Sequence, residues 1–220
     1  MHNQEAERNQ PAIRDTLFGD MPLSAWPGAT STSTEEPWAS FIKARDQLEG
    51  GDKALAKETL RHIMATPDLE SRHYLQAWHF LRELGEQPSA AAAKQLYGVV
   101  VEVSMDEGLD IVAAYANHTA RYFNYSGAAI IWEKPNTSLD SDVDALLEAG
   151  RVVAAQIGPW EGARPAPPPN GQVRINMLVP SGLHFGQAPF EILSRDPMGG
   201  PVIAAAMRLM QALIARTEQG

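Results

Sequence analysis

The sequence predicts an α+β protein in which an N-terminal helical hairpin region precedes an antiparallel five-stranded sheet with helices packed on one side. Two observations lead to this prediction. Apolar residues recur at helical spacing between residues 37 and 85, and from Gly98 onward they alternate with polar residues in short runs separated by turns. The content of 44% hydrophobic and 20% charged residues is typical of globular proteins, so a folded chain is expected.

Residues 1–36 are interpreted as an extended or partly disordered tail, because prolines and the run Thr30 to Thr34 disfavour regular structure. The tail nevertheless contains Leu17, Phe18 and Trp26. A free segment with these side chains would be sticky. We therefore expect them to pack on the rest of the chain or on a partner.

Residues 37–97 are predicted to be helical. One helix starts near Pro37, a second spans residues 52–65, a third spans residues 69–84, and a short alanine-rich helix is expected over residues 90–96. The pattern across the second and third helices resembles one unit of a tetratricopeptide repeat, on the residues Gly51, Ala56, Leu60, Pro67, Tyr74, Trp78 and Gly85. Because such units usually need stacks of three or more, a helical cap on the following domain is the favoured interpretation.

Residues 98–220 are predicted to form an antiparallel α+β domain with the order β-β-β-β-α-β-α. Four strands follow one another from Val99 to Glu133, and their connections are too short for parallel crossovers. A helix over residues 137–156 and a fifth strand over residues 173–179 come next. Residues 180–201 lack periodicity and are expected to be an irregular segment before the final helix.

Composition excludes several classes of function. A net charge of −9 without a basic stretch disfavours nucleic acid and anionic membrane surfaces as partners. The absence of cysteine excludes disulfides, thiolate catalysis and cysteine-based metal sites. No apolar run reaches the length of a membrane span and no signal peptide is recognisable, so a soluble cytoplasmic protein is expected.

No metal site or cofactor is predicted. The six histidines do not occur at the spacing of a zinc motif. The carboxylates from Asp140 to Asp144 lack the glycine and the final glutamate of a calcium loop.

Four residues are candidate ligand-binding groups. Ser181 and His184 lie in the irregular segment, where they suggest a nucleophile and its base, although no Gly-x-Ser-x-Gly motif surrounds the serine. We expect this segment to form one wall of the main cavity, with His184 and Arg195 supplying its polar groups. Arg121 lies among aromatic residues of the predicted third strand, a combination that favours a recognition surface.

The leading functional hypothesis is a non-enzymatic protein that binds a partner protein, a second copy of itself or a small ligand, because no convergent catalytic set is visible. The alternative is a hydrolase-like enzyme that uses the His184 loop together with an unidentified carboxylate. Convergence of Ser181, His184 and a carboxylate in one pocket would favour the enzyme.

Overall fold

The computed structural model describes residues 13–28 and 30–217. Its elements are α1 (Trp38–Glu49), α2 (Lys53–Ala65), α3 (Ser71–Glu83), β1 (Gly98–Met105), β2 (Gly108–Tyr115), β3 (Ala120–Phe123), β4 (Ala129–Trp132), α4 (Asp140–Gln156), β5 (Gln172–Val179), β6 (Gly182–Pro189), α5 (Phe190–Leu193) and α6 (Gly199–Thr217). Among these described helices, none combines the length and the apolar character needed to cross a membrane.

The strands form one sheet in the order β4-β3-β2-β1-β5-β6, and all neighbouring strands are antiparallel. The predicted α+β class with an antiparallel sheet is therefore confirmed. The predicted number of five strands is wrong, because the described chain contributes six.

The sixth strand, β6, occupies the segment that the sequence predicts to be irregular. It forms a hairpin with β5, in which Val179 lies opposite Gly182 and the turn consists of Pro180 and Ser181. Glycines and a buried histidine hide the alternation of this strand in the sequence. Pairing with β5 supplies the backbone hydrogen bonds, and this context outweighs the weak intrinsic strand propensity.

Helices α4 and α6 cover one face of the sheet and form the largest hydrophobic cluster with β1, β2, β3 and β5. Helix α4 approaches the sheet closely at Gly150, where an added Cβ atom would lie 2.4 Å from Cγ2 of Val99. A glycine is therefore required at this contact for the present helix position.

The opposite face is covered by residues 13–18 and by α3, so the prediction that helices pack on one side only is wrong. Leu17, Phe18 and Leu75 contact this face in a second cluster that includes Val100, Leu109, Ile111, Ala113, Tyr115 and Leu178. Sequence reasoning missed this layer because the face also carries Glu102, whose charge makes it resemble a solvated surface. The Glu102 side chain is in fact fully buried.

Residues 13–22, which we call the N-terminal segment, are fixed by packing and by hydrogen bonds. The Tyr115 hydroxyl donates to the Leu17 carbonyl at 2.8 Å. The Gln76 side chain accepts from the Met21 amide at 3.1 Å and donates to the Met21 carbonyl at 2.7 Å. The expectation that Leu17 and Phe18 pack on the body of the protein is confirmed, whereas residues 1–12 of the predicted tail lie outside the described residues.

Helices α1, α2 and α3 share a third cluster around Phe41, Leu60 and Phe80, in agreement with the three predicted helices. The alanine-rich helix predicted over residues 90–96 is wrong, because residues 90–94 form turns. The Ala93 carbonyl accepts hydrogen bonds from the Ser181 amide and hydroxyl, so it does not continue a helical ladder.

Candidate functional site

The main cavity of the described chain lies between the N-terminal segment, α3, residues 160–164 and the β5–β6 turn. Its volume is about 710 Å³, which is within the range of small-molecule sites. Its lining residues include apolar Phe18, Leu75, Leu178, Val179, Leu183 and Trp160, and polar Asp20, His79, Arg82, Glu83, Arg164 and Ser181. Such a mixture of apolar walls and a few polar groups suits an organic ligand.

Helix α3 supplies four of the lining residues, Leu75, His79, Arg82 and Glu83. Leu75, His79 and Arg82 follow one another at spacings of four and three, which place them in a row along the helix. Ala77, Phe80 and Leu81 are buried against α1 and α2. The helix is therefore held by one face and lines the cavity with the other.

Among the described residues, Arg82 is the arginine of the cavity that forms no ion pair with a carboxylate. Its Nη1 donates to the Pro180 carbonyl at 2.6 Å, and within residues 13–28 and 30–217 this is its one hydrogen bond. Burial lowers the pKa of Arg82, while the negative charges of Asp20 and then Glu83 oppose that shift. The guanidinium remains charged at neutral pH, because arginine side chains are not deprotonated in proteins.

Arg164, in contrast, forms ion pairs with two carboxylates. Its Nε donates to Asp20 Oδ2 at 2.8 Å and its Nη2 donates to Asp15 Oδ1 at 2.5 Å. Burial opposes its charge, but Asp20 and Asp15 together raise the pKa of Arg164. The guanidinium also lies over the Phe18 ring, 4.6 Å from its centroid, so this residue fastens residues 160–164 to the N-terminal segment.

Asp20 keeps one acceptor unused after binding Arg164. Its Oδ1 is buried and has no hydrogen-bond partner among the described residues. A buried acceptor without a partner is unfavourable by about 1–3 kcal/mol in proteins. Because Asp20 lines the cavity, a ligand donor that reaches this oxygen would supply the missing hydrogen bond.

His79 and Glu83 line the cavity on the C-terminal half of α3. His79 Nε2 lies 3.4 Å from Glu83 Oε1. Burial lowers the pKa of His79, and this effect is larger than the opposing effect of the Glu83 charge. The imidazole is therefore mainly neutral at pH 7.

The structure brings together two of the four residues predicted from sequence, Ser181 and His184. Ser181 lines the cavity, and its hydroxyl donates to the Ala93 carbonyl at 2.7 Å. His184 Nε2 lies 3.1 Å from the Ser181 hydroxyl oxygen, and the histidine tautomer decides which of the two groups donates. The contact fastens the β5–β6 turn to residue 93.

His184 is fully buried in β6 and is not among the residues that line the cavity. Burial lowers its pKa, the charge of Lys94 lowers it further, and the Ile157 backbone opposes the shift in part. Its Nδ1 makes no hydrogen bond of regular geometry within the described part of the chain. The expectation that an exposed His184 supplies a polar group of the cavity is thus not met, because strand pairing turns this side chain inward.

Arg121 and Arg195 lie away from this cavity, since neither lines it. Arg121 is buried in β3 and its Nη2 donates to Glu133 Oε1 at 2.9 Å. Arg195 is exposed after the short helix α5. The wall of the cavity that was expected from residues 180–200 is limited to Ser181, Gly182 and Leu183.

Sequence reasoning missed Asp20, Arg82 and Arg164. The row of Leu75, His79 and Arg82 was the available signal, because a helix face that mixes apolar and charged residues is typical of a site wall. Asp20 and Arg164 lie in segments without periodicity, where sequence offers no comparable signal.

A buried polar cluster fastens the N-terminal segment to the other end of the same sheet face. Arg14 Nε donates to Glu102 Oε1 at 2.6 Å, and Arg174 Nη1 lies 3.6 Å from Glu102 Oε2. Asn176 Nδ2 donates to Glu102 Oε2 at 3.1 Å. The cluster is covered by the segment it holds, so we treat it as structural.

Among the described residues, no group of three or more His, Asp or Glu is placed to hold a metal ion.

Comparison with known proteins adds no relative: no family model, no curated protein and no solved structure matches this chain.

Proposed function

We propose that the protein is a non-enzymatic module that binds a small organic molecule in the cavity beside α3. The observation that supports this most is that one cavity of about 710 Å³ is lined both by Arg82, whose guanidinium has free donors, and by Asp20, whose buried Oδ1 has no partner among the described residues. Both groups gain hydrogen bonds when a ligand of matching chemistry enters.

The contact between Ser181 and His184 supports this proposal better than hydrolysis. A general base must accept the proton of the nucleophile, and the Ala93 carbonyl, 2.7 Å from the Ser181 hydroxyl, competes with His184 at 3.1 Å for that proton. No carboxylate of the described chain contacts His184 to orient its ring. We therefore propose no hydrolytic role for this pair.

The proposal is tested by a binding screen with a blocked variant. Saturation-transfer NMR against a panel of free amino acids, organic acids, amines and sugars identifies binders of the unmodified protein. Ala163→Trp places an indole at the cavity wall from an exposed position, whereas Glu161→Trp adds the same group two residues away at a position that does not line the cavity.

We expect at least one member of the panel to bind, with its signal lost in Ala163→Trp and kept in Glu161→Trp. Absence of any binder would overturn the proposal. A binder that Ala163→Trp does not affect would place the ligand elsewhere and would overturn it as well.

A further inference from the structure

We infer that the ligand of this cavity is a small zwitterion with an apolar side chain, of the class of a free α-amino acid or a short peptide, whose carboxylate binds Arg82 and whose ammonium binds Asp20. This inference rests on the proposed binding function and specifies the chemistry of its ligand.

The first step is the anionic half of the ligand. Toward the residues that the structure describes, Arg82 uses only Nη1, in its bond to the Pro180 carbonyl, and this bond fixes the guanidinium at the cavity wall. Its remaining donors match the two oxygens of a carboxylate, which arginine binds in a bidentate manner. Arg164 competes less for the ligand carboxylate, because its charge is already neutralised by Asp15 and Asp20.

The second step is the cationic half. Asp20 Oδ2 accepts from Arg164, while its buried Oδ1 has no partner in the described part of the chain. A ligand group that only accepts hydrogen bonds leaves this oxygen unpaired. An ammonium group supplies both a donor and the opposite charge.

The third step is the relation between the two charges. Arg82 and Asp20 line the same cavity, and the negative charge of Asp20 raises the pKa of Arg82 more than that of Glu83 does. Within the described residues, however, the two side chains do not form an ion pair. Opposite charges that face one cavity without contact are complementary to a ligand that carries both signs.

The fourth step is the apolar part. Leu75 and Leu183 form an apolar wall, and the half-exposed indole of Trp160 lies beside them in the lining. The indole is held by its own hydrogen bond to the Ala163 carbonyl, at 3.1 Å, and by the Phe185 ring, with centroids 5.2 Å apart. A fixed aromatic surface of this kind favours an aromatic or aliphatic ligand side chain.

The test uses three probes with the same phenyl group and titration calorimetry of the full chain. L-Phenylalanine carries both charges, 3-phenylpropanoate carries only the carboxylate, and 2-phenylethylamine carries only the ammonium. We expect L-phenylalanine to bind at least about tenfold more tightly than either of the others, because each of them leaves one charged group of the cavity unpaired. Equal affinity of 3-phenylpropanoate or of 2-phenylethylamine would overturn the inference.

Two variants assign the contacts. Arg82→Gln should weaken L-phenylalanine about tenfold or more and leave 2-phenylethylamine unchanged, while Asp20→Asn should weaken L-phenylalanine and leave 3-phenylpropanoate unchanged. Arg61→Gln removes an exposed arginine of α2 that does not line the cavity, and it should change nothing. Affinity for L-phenylalanine that survives Arg82→Gln would contradict the assignment. The probe series on the unmodified protein remains decisive if a variant fails to fold.

L-Phenylalanylglycine distinguishes the two classes of zwitterion. Tighter binding than that of L-phenylalanine identifies the ligand as a peptide, and weaker binding identifies it as a free amino acid.

The outcomes also separate this inference from the proposed function. If the three phenyl probes fail but another member of the panel binds in a manner sensitive to Ala163→Trp, only the ligand class is wrong. If nothing binds, the proposed function fails.

Discussion

At the scale of single residues, the buried charges on the sheet face decide how the N-terminal segment is held. The Glu102 carboxylate is inaccessible to solvent and lies between two buried guanidiniums, those of Arg14 and Arg174. Removing one partner of a buried ion pair leaves uncompensated charge, which is much less favourable than losing a surface pair. The segment that carries Arg14 therefore depends on one carboxylate of β1.

We predict that Glu102→Ala lowers the free energy of unfolding by about 3–5 kcal/mol, because Arg14 and Arg174 then lose their shared carboxylate. Urea denaturation measures the change. Glu107→Ala, at an exposed position in the β1–β2 turn, is the matched control and should stay within about 0.5 kcal/mol of the unmodified protein. Equal stability of both variants would show that the cluster does not hold the segment.

His73 is a second buried group whose protonation matters. It lies against Trp26 and Trp38, with ring centroids 6.3 Å and 5.0 Å away, and its Nδ1 has no partner among the described residues. Burial lowers the pKa of His73 to about 4, although Glu70 opposes the shift. The folded protein therefore strongly favours the neutral ring.

This shift predicts a loss of stability in mild acid. The pKa of His73 is about 6.5 in the unfolded chain and about 4 in the folded protein. At a pH between these two values, the unfolded chain therefore binds a proton that the folded protein does not. The stabilising contribution is complete above pH 6.5 and is lost as the pH falls towards 4. Lowered pKa values of His79 and His184 act in the same direction.

Urea denaturation between pH 7 and pH 4.5 measures the effect, and His73→Phe keeps an aromatic ring that cannot be protonated. We expect the free energy of unfolding to fall with pH less steeply in His73→Phe than in the unmodified protein. Parallel pH profiles would contradict the assignment to His73.

At the scale of elements, the sequence predicted those parts that follow from local pattern. Helical spacing gave α1, α2, α3, α4 and α6, and period-two alternation with short turns gave β1 to β4. Local pattern did not predict β6, because the regular structure of this strand comes from pairing with β5. The close approach of Gly150 to Val99 likewise depends on tertiary packing, which no local pattern predicts.

We predict that Gly150→Ala destabilises the protein by about 1–3 kcal/mol, even though alanine is the better helix former, because the added methyl group collides with Val99 across the α4–sheet contact. Gly158→Ala is the control, since nothing lies within 4 Å of a Cβ atom added there. Thermal and urea unfolding measure both variants. A stabilised Gly150→Ala variant would mean that α4 lies farther from the sheet.

At the scale of the whole molecule, the candidate site is assembled from segments that are distant in sequence. Asp20, Arg82 and Arg164 meet only because the N-terminal segment crosses the sheet face beside α3 and because residues 160–164 bind it through Arg164. No local pattern encodes such a meeting, which is why sequence reasoning located only the β5–β6 turn of this site. The predicted division of the chain at residue 97 stays a prediction, although Leu75 of α3 packs in the cluster of the sheet face.

The most direct test of this account is a map of backbone amide chemical shifts, recorded on isotope-labelled protein with the strongest binder of the small-molecule panel. We predict that the perturbed amides cluster in residues 18–22, 79–83, 160–164 and 181–183, which surround the cavity. Perturbations centred on Arg121 or Arg195, without change in those four segments, would contradict the claim that this cavity is the binding site.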